Sequence, residues 1–209
     1  MTAAPKLVSI AAAADRVPDG GTIAIGGPAD GRRPLAILRA LARRSWTPGA
    51  LLAWAPFPEA ALVGATATVL TPEQIAFAAP DVFLLHAAAA DEAGDVLLDD
   101  LPDAWYADRA ITRAAGCVVA TVEQLVSAET VRRRPRDLVA ESERVRAVVH
   151  TPFGAHPLGY RGRYPADPSG SLAGPDSADH WEYLNAVGFA RLLHRCSLPE
   201  GEITHDGME

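Results

Sequence analysis

Three side chains have both the chemistry and the setting to act on a substrate. Glu123 ends the apolar run Cys117 to Val122, the position from which α/β proteins present carboxylates for nucleophilic or acid–base work. A carboxylate there can equally be the cap or first-turn acid of a following helix, stabilised by its dipole, and the spacing leaves both roles open. His156 lies among Gly154, Ala155 and Pro157, a loop setting in which a polar group contacts a ligand or shapes a turn. His86 closes the apolar run Val82 to Leu85 and is read as an architectural histidine hydrogen-bonded to a neighbouring backbone group.

Gly26 and Gly27 form a fourth candidate, between a strand and a helix. Glycines there allow close backbone approach, and the helix N-terminus behind them offers amides to an anion or oxyanion. A tight turn needing positive φ accounts for the same pair. The spacing to Gly31 is not that of a dinucleotide fingerprint, and no Gly-Lys-Ser/Thr follows. Metal chemistry is not expected: the six histidines show no paired helical spacing, and Cys117 and Cys196 are far apart. A Gly-x-Ser-x-Gly elbow is absent. Glu73 belongs to an ordinary capping pattern after Thr71. Asp99, Asp100 and Asp103 read as a solvated loop, and Arg132 to Arg136 as a solvated helix end, with a phosphate or partner contact as the alternative.

The elements that must position these groups follow from periodicity and turn chemistry. Leu7 to Val17 has helical spacing and stops at Pro18-Asp19-Gly20-Gly21. Thr22 to Ile25 is a short buried strand. Pro34 opens a helix over Leu35 to Arg44, with Leu35, Leu38 and Leu41 on one face. Strands are expected at Leu51 to Trp54, Thr66 to Leu70, Val82 to Leu85, Asp95 to Leu98, Cys117 to Val122 and Val145 to His150. Helices are expected at Glu59 to Val63, Ala104 to Ala115, part of Glu123 to Arg134, and Asp176 to Arg195. Tyr160 to Ala178 reads as an extended loop. The alternation predicts an α/β fold with a largely parallel sheet flanked by helices, as one domain over residues 1–209.

Composition bounds the class. The chain has 209 residues and 49% hydrophobic content, enough for one full core. A net charge of −7 argues against a nucleic-acid surface. The stretch Ser45 to Glu59, uncharged up to its last residue, carries three prolines and cannot be a membrane helix. The N-terminus lacks the pattern of a signal peptide, so the expected location is the cytoplasm. Cys117 is read as a buried reduced thiol. Lys6 is the only lysine among many arginines, a bias that fits a GC-rich bacterial genome.

Four motifs in order carry a family resemblance: Ile23 to Gly27 followed by Arg33-Pro34; Asp81 to His86 with Asp91 to Val96; Asp108 through Val118 to Val126; and Pro152 to Pro157. Together they resemble the α-type subunit of family I coenzyme A transferases, the glutaconate CoA-transferase group, over roughly residues 7–45 and 80–165. The resemblance implies a coenzyme A thioester as substrate, no permanently bound cofactor, and Gly26, Gly27, Gly154, Ala155 and His156 bordering the acyl-CoA cleft. It also implies a β-type partner subunit, in a heterodimer or a heterotetramer of two α-type and two β-type chains. In such pairs a glutamate, usually on the β-type chain, attacks the thioester to give an acyl anhydride and then a glutamyl-CoA thioester. Oxyanion donors serve each tetrahedral stage. Glu123 is the candidate catalytic carboxylate on this chain. Family α chains are longer by roughly half of this chain's length, with the shortfall placed mainly between Trp54 and Pro80. That leaves two alternatives: an acyl-CoA hydrolase or lyase of the same fold that cleaves or cyclises carbon–carbon bonds, and a non-catalytic structural subunit.

Overall fold

A computed structural model of the chain describes residues 5–99, 102–172 and 180–196. Asp100 and residues 176–179 of the expected C-terminal helix lie outside them. Within them the chain runs α1 (Ile10–Ala14), β1 (Thr22–Ile25), α2 (Leu35–Arg43), β2 (Ala50–Ala53), a 3₁₀ turn (Pro58–Val63), β3 (Thr68–Val69) and α3 (Pro72–Ala78). It continues β4 (Val82–Ala90), β5 (Val96–Leu97), α4 (Pro102–Ala114), β6 (Cys117–Leu125), α5 (Ala128–Arg132) and β7 (Leu138–Ala140). A 3₁₀ turn (Ser142–Arg144), β8 (Val145–His150), α6 (His180–Val187) and α7 (Phe189–Cys196) complete it.

Six strands form a parallel sheet in the order β3-β2-β1-β4-β6-β8; β5 pairs antiparallel with the last residues of β4, and β7 antiparallel with β5. Strand order reverses between β1 and β4, the switch point at which an open α/β sheet leaves a crevice beyond its carboxyl ends. All nine residues of β4 are buried, as a central parallel strand covered on both faces requires. Alternate side chains face two cores. Leu84 and Val119 join α1 and α2 on one face, while Phe83, Leu85, Ala120 and Val122 join α4 on the other. A third cluster of Phe153, Tyr160, Tyr164, Tyr183 and Leu184 fastens α6 and α7 over the loop after β8.

Several elements differ from expectation for local physical reasons. β4 continues through Ala87 to Ala90, because burial on both faces selects small residues there over strong strand formers. β6 continues through Glu123 to Leu125, so Glu123 belongs to a strand and caps no helix. Residues 72–78 form a full helix, with a reciprocal capping box between Thr71 and Gln74. The C-terminal helix is two helices, broken at Gly188, whose φ is +87°. Among the described residues no helix is long and apolar enough to cross a membrane.

Candidate functional site

Register brings two of the candidates together. His86 on β4 lies opposite Thr121 on β6, and Glu123, two residues on, shares that face of the sheet. The imidazole does not bond the backbone as expected. Its Nδ1 lies 2.9 Å from Thr121 Oγ1 and its Nε2 2.6 Å from Glu123 Oε1. A carboxylate offers only lone pairs, so Nε2 carries the hydrogen.

Glu123 is braced from four directions. Oε1 also accepts from the Tyr164 hydroxyl at 2.7 Å and the Gly154 amide at 3.3 Å, and Oε2 accepts from the Phe153 amide at 2.8 Å. Burial alone would raise its pKa, but the bonds from His86, Tyr164 and Phe153 outweigh it and hold the carboxyl below its ordinary range. Tyr164 is pushed well above the usual phenol value by burial and by the Glu123 charge, which keeps its hydroxyl a donor. That hydroxyl accepts in turn from the Ala155 amide at 3.2 Å. Glu123 thus nails the Phe153–Ala155 turn to the end of β6.

The glycines serve close packing between loops. A Cβ on Gly154 would sit 2.6 Å from His86 Cε1. A Cβ on Gly26 would meet Phe83 at 2.9 Å, and Gly27, with φ +93°, has the Arg32 carbonyl 2.4 Å from its Cβ position. The Gly27 amide points at Asp108 Oδ1 and the Arg32 amide bonds the Gly159 carbonyl. The Ala36 amide, in the first turn of α2, bonds the Gly154 carbonyl. The two loops expected to border a cleft therefore meet each other.

His156 is 2% exposed and forms the middle of a chain of polar groups. Its Nδ1 is 2.5 Å from the Tyr183 hydroxyl and its Nε2 3.0 Å from Asp167 Oδ2. Arg191 on α7 donates to the same Asp167 oxygen at 2.7 Å. Burial lowers the His156 pKa, against the opposing pull of Asp167. The Arg39 guanidinium on α2 donates to the His156 carbonyl at 2.9 Å and lies 3.8 Å from the centre of the Tyr183 ring.

Other participants had no spacing to reveal them. At the β1–β4 switch point Arg32 pairs with the fully buried Asp108 of α4 and donates to the His86 carbonyl at 2.9 Å. Trp54 Nε1 donates to Asp108 Oδ1 at 2.9 Å. Arg33 crosses to the Pro56 carbonyl at 2.9 Å, and burial pulls its pKa down to about 10 against the nearby charge of Glu59. Glu59 is itself buried, and its Oε2 has no hydrogen-bond partner. Asp99, expected to be solvated, accepts from Tyr160 and Arg163. Arg132 and Arg133 make exposed local pairs with Glu129, as a solvated helix end should, and Arg134 a half-buried one with Asp137.

A cavity of about 350 Å³ opens beside the carboxyl ends of β6 and β8, lined by Leu7, Val8, Leu125, Val149, His150 and Trp181 among others. Among the described residues no group of three or more His, Cys, Asp and Glu side chains is arranged to hold a metal ion.

No protein-family model matches the chain. In sequence it is 31% identical over 140 residues to one of the subunits of glutaconate CoA-transferase from Acidaminococcus fermentans, covering 57% of this chain and 42% of that protein. The chain spans less than half the length of the curated relatives it matches. The solved glutaconate coenzyme A-transferase of the same organism superposes with a TM-score of 0.74 at 20% identity, over 93% of this chain and 96% of that one. A variant of the decarboxylase AibA/AibB superposes with a TM-score of 0.60 at 22% identity, over 77% of this chain and 88% of that chain. The chain has the coenzyme A transferase fold, and its sequence similarity is to a transferase α-type subunit.

Proposed function

We propose that this chain is the α-type subunit of a heteromeric coenzyme A transferase-like enzyme, acting on an acyl-CoA thioester whose attacking carboxylate comes from a β-type partner. The observation that carries the division of labour is the engagement of Glu123. A carboxylate with four donors and a lowered pKa is a weak nucleophile. It is well suited to hold His86 and the Phe153–Ala155 turn in one geometry. Glu123 is on this reading a positioning residue, and the buried Gly26, Gly27, Gly154, Ala155 and His156 pack the two loops that back the wall the substrate meets.

The partner's carboxylate attacks the thioester carbonyl, the C–S bond breaks, and coenzyme A leaves as the thiolate. The thiolate then attacks the partner's own carbonyl in the mixed anhydride and releases the first acid as its carboxylate. An acceptor acid reverses the two steps, so no water or redox equivalent is consumed. The cavity beside β6 and β8 suits the apolar part of an acyl group.

One observation favours a second reading, hydrolysis or lysis on this chain. The buried Glu59 carboxylate has an oxygen without a hydrogen bond, close to Arg33. That oxygen keeps lone pairs that none of the described residues uses. Co-expression with a β-type subunit separates the readings. Acyl-CoA consumption that requires an acceptor acid supports transfer. Consumption without an acceptor supports hydrolysis or lysis. A stable pair inactive on every acyl-CoA offered, with or without an acceptor, overturns both in favour of a structural subunit.

A further inference from the structure

A second cluster lies at the other end of the sheet, where the parallel strands begin. Arg113 is near the end of α4, just before β6, and Arg144 immediately precedes β8. With Arg109, Thr112, Val139 and Glu141 they line a pocket of about 150 Å³. The Arg109 guanidinium is held 4.6 Å from the centre of the Trp105 ring, and Arg144 Nη1 donates to the Ala115 carbonyl at 3.4 Å.

Two features make this pocket unlike the rest of the surface. Among the described residues none of the three arginines has a carboxylate within ion-pair distance, although the chain carries a net charge of −7. Glu141 is the one carboxylate in the lining, set against three guanidiniums. One residue of the lining also carries an unsatisfied donor. Thr112 is 2% exposed and its Oγ1 has no hydrogen-bond partner, whereas a helical threonine commonly bonds back to a carbonyl of the preceding turn. A buried hydroxyl without a partner is costly unless a ligand supplies one.

We infer that Arg109, Thr112, Arg113 and Arg144 form a binding site for a phosphate-class oxyanion. Guanidiniums match the oxygens of a phosphoryl group in bidentate geometry, and the threonine hydroxyl adds a neutral donor. The volume admits a phosphoryl group and is well below the roughly 300 Å³ at which pockets for drug-sized molecules begin. The ligand is therefore free phosphate or the exposed phosphoryl end of a larger molecule. The site is remote from Glu123 and does not depend on the acyl chemistry.

The test titrates inorganic phosphate into the full-length protein at constant ionic strength, with chloride as reference, and reads binding by calorimetry and by melting temperature. Phosphate is expected to bind at millimolar concentration and raise the melting temperature, and the Arg113→Ala/Arg144→Ala variant to lose at least tenfold in affinity. Thr112→Val is the variant that separates binding from folding. It removes the unsatisfied hydroxyl, so the ligand-free protein should melt no lower than wild type while its phosphate response shrinks severalfold. Coenzyme A and dephospho-coenzyme A then distinguish the source. Weakening of coenzyme A alone by the arginine variant identifies a 3′-phosphate, and an effect confined to inorganic phosphate identifies the free ion. No response beyond that to chloride, or an equal response in the arginine variant, overturns the site.

Discussion

Glu123→Gln separates a bracing carboxylate from an attacking one. Placing the glutamine oxygen at the Oε1 position keeps three acceptor contacts, from His86, Tyr164 and Gly154. Its NH₂ group then faces the Phe153 amide, donor against donor, where Oε2 had accepted at 2.8 Å. That buried amide loses its partner at a cost of about 1–3 kcal/mol, and the remaining bonds lose their charge assistance, for a total of about 3 kcal/mol. The reversed amide is worse, because three donors would confront the NH₂. For a domain of this size the loss corresponds to a fall of roughly 6–12 °C in melting temperature. Thermal denaturation at pH 7 reads it directly. Tyr164→Phe should cost about 1–3 kcal/mol by stranding the Ala155 amide, and the double variant should be less destabilised than the sum. A Glu123→Gln protein that melts within about 2 °C of wild type yet has lost all activity would refute the reasoning and return Glu123 to the role of nucleophile.

Three further perturbations test the frame around it. His180 is buried, donates toward the Pro152 carbonyl, and has its pKa pulled down to about 4, chiefly by burial. As pH falls the unfolded chain protonates first, so stability is complete above about 6.5 and declines toward 4. Between pH 7.5 and 4.5 about 2–3 kcal/mol should be lost, and urea titrations of His180→Gln should show a flatter profile. Gly154→Ala drives a methyl to 2.6 Å from His86 Cε1, and should cost about 1–3 kcal/mol in denaturant unfolding as the ring is forced off Glu123. Arg32→Met leaves Asp108 buried without its ion-pair partner; a loss of about 3–5 kcal/mol is expected in the same assay, only partly restored by adding Asp108→Leu, which strands the Trp54 Nε1 donor.

The sheet was legible because its strands are short apolar runs bounded by turn residues, and Thr22–Ile25 and Val145–His150 appear at the expected positions. The site was legible only in its parts. His86 and Glu123 are 37 residues apart, and what joins them is the β4–β6 register, set by the pairs from Val82 with Cys117 to His86 with Thr121 and continued through the alanines of β4. Alanine is a poor local signal for a strand, and only burial on both faces explains it here. Tyr164 sits in a segment read as an extended loop, yet its hydroxyl reaches Glu123 because Phe153, Tyr160 and Tyr183 build a small aromatic core around it. Gly26 and Gly27 were recognised as close-approach positions and Gly154 as part of a cleft loop, but what approaches them is another part of the chain. Arg32 and Asp108 carried no spacing signal, since their pairing depends on how α4 crosses the switch point.

The central claim is that the reacting carboxylate belongs to a partner while this chain holds the wall. The direct measurement is to purify the pair, load it with acyl-CoA, reduce with borohydride, and locate the reduced glutamate by peptide mass spectrometry. The account predicts one reduced glutamate on the β-type chain and none on this one, with Glu123 and Glu59 unmodified. A reduced residue at Glu123 or Glu59 would contradict it, as would acyl-CoA turnover with no adduct on either chain.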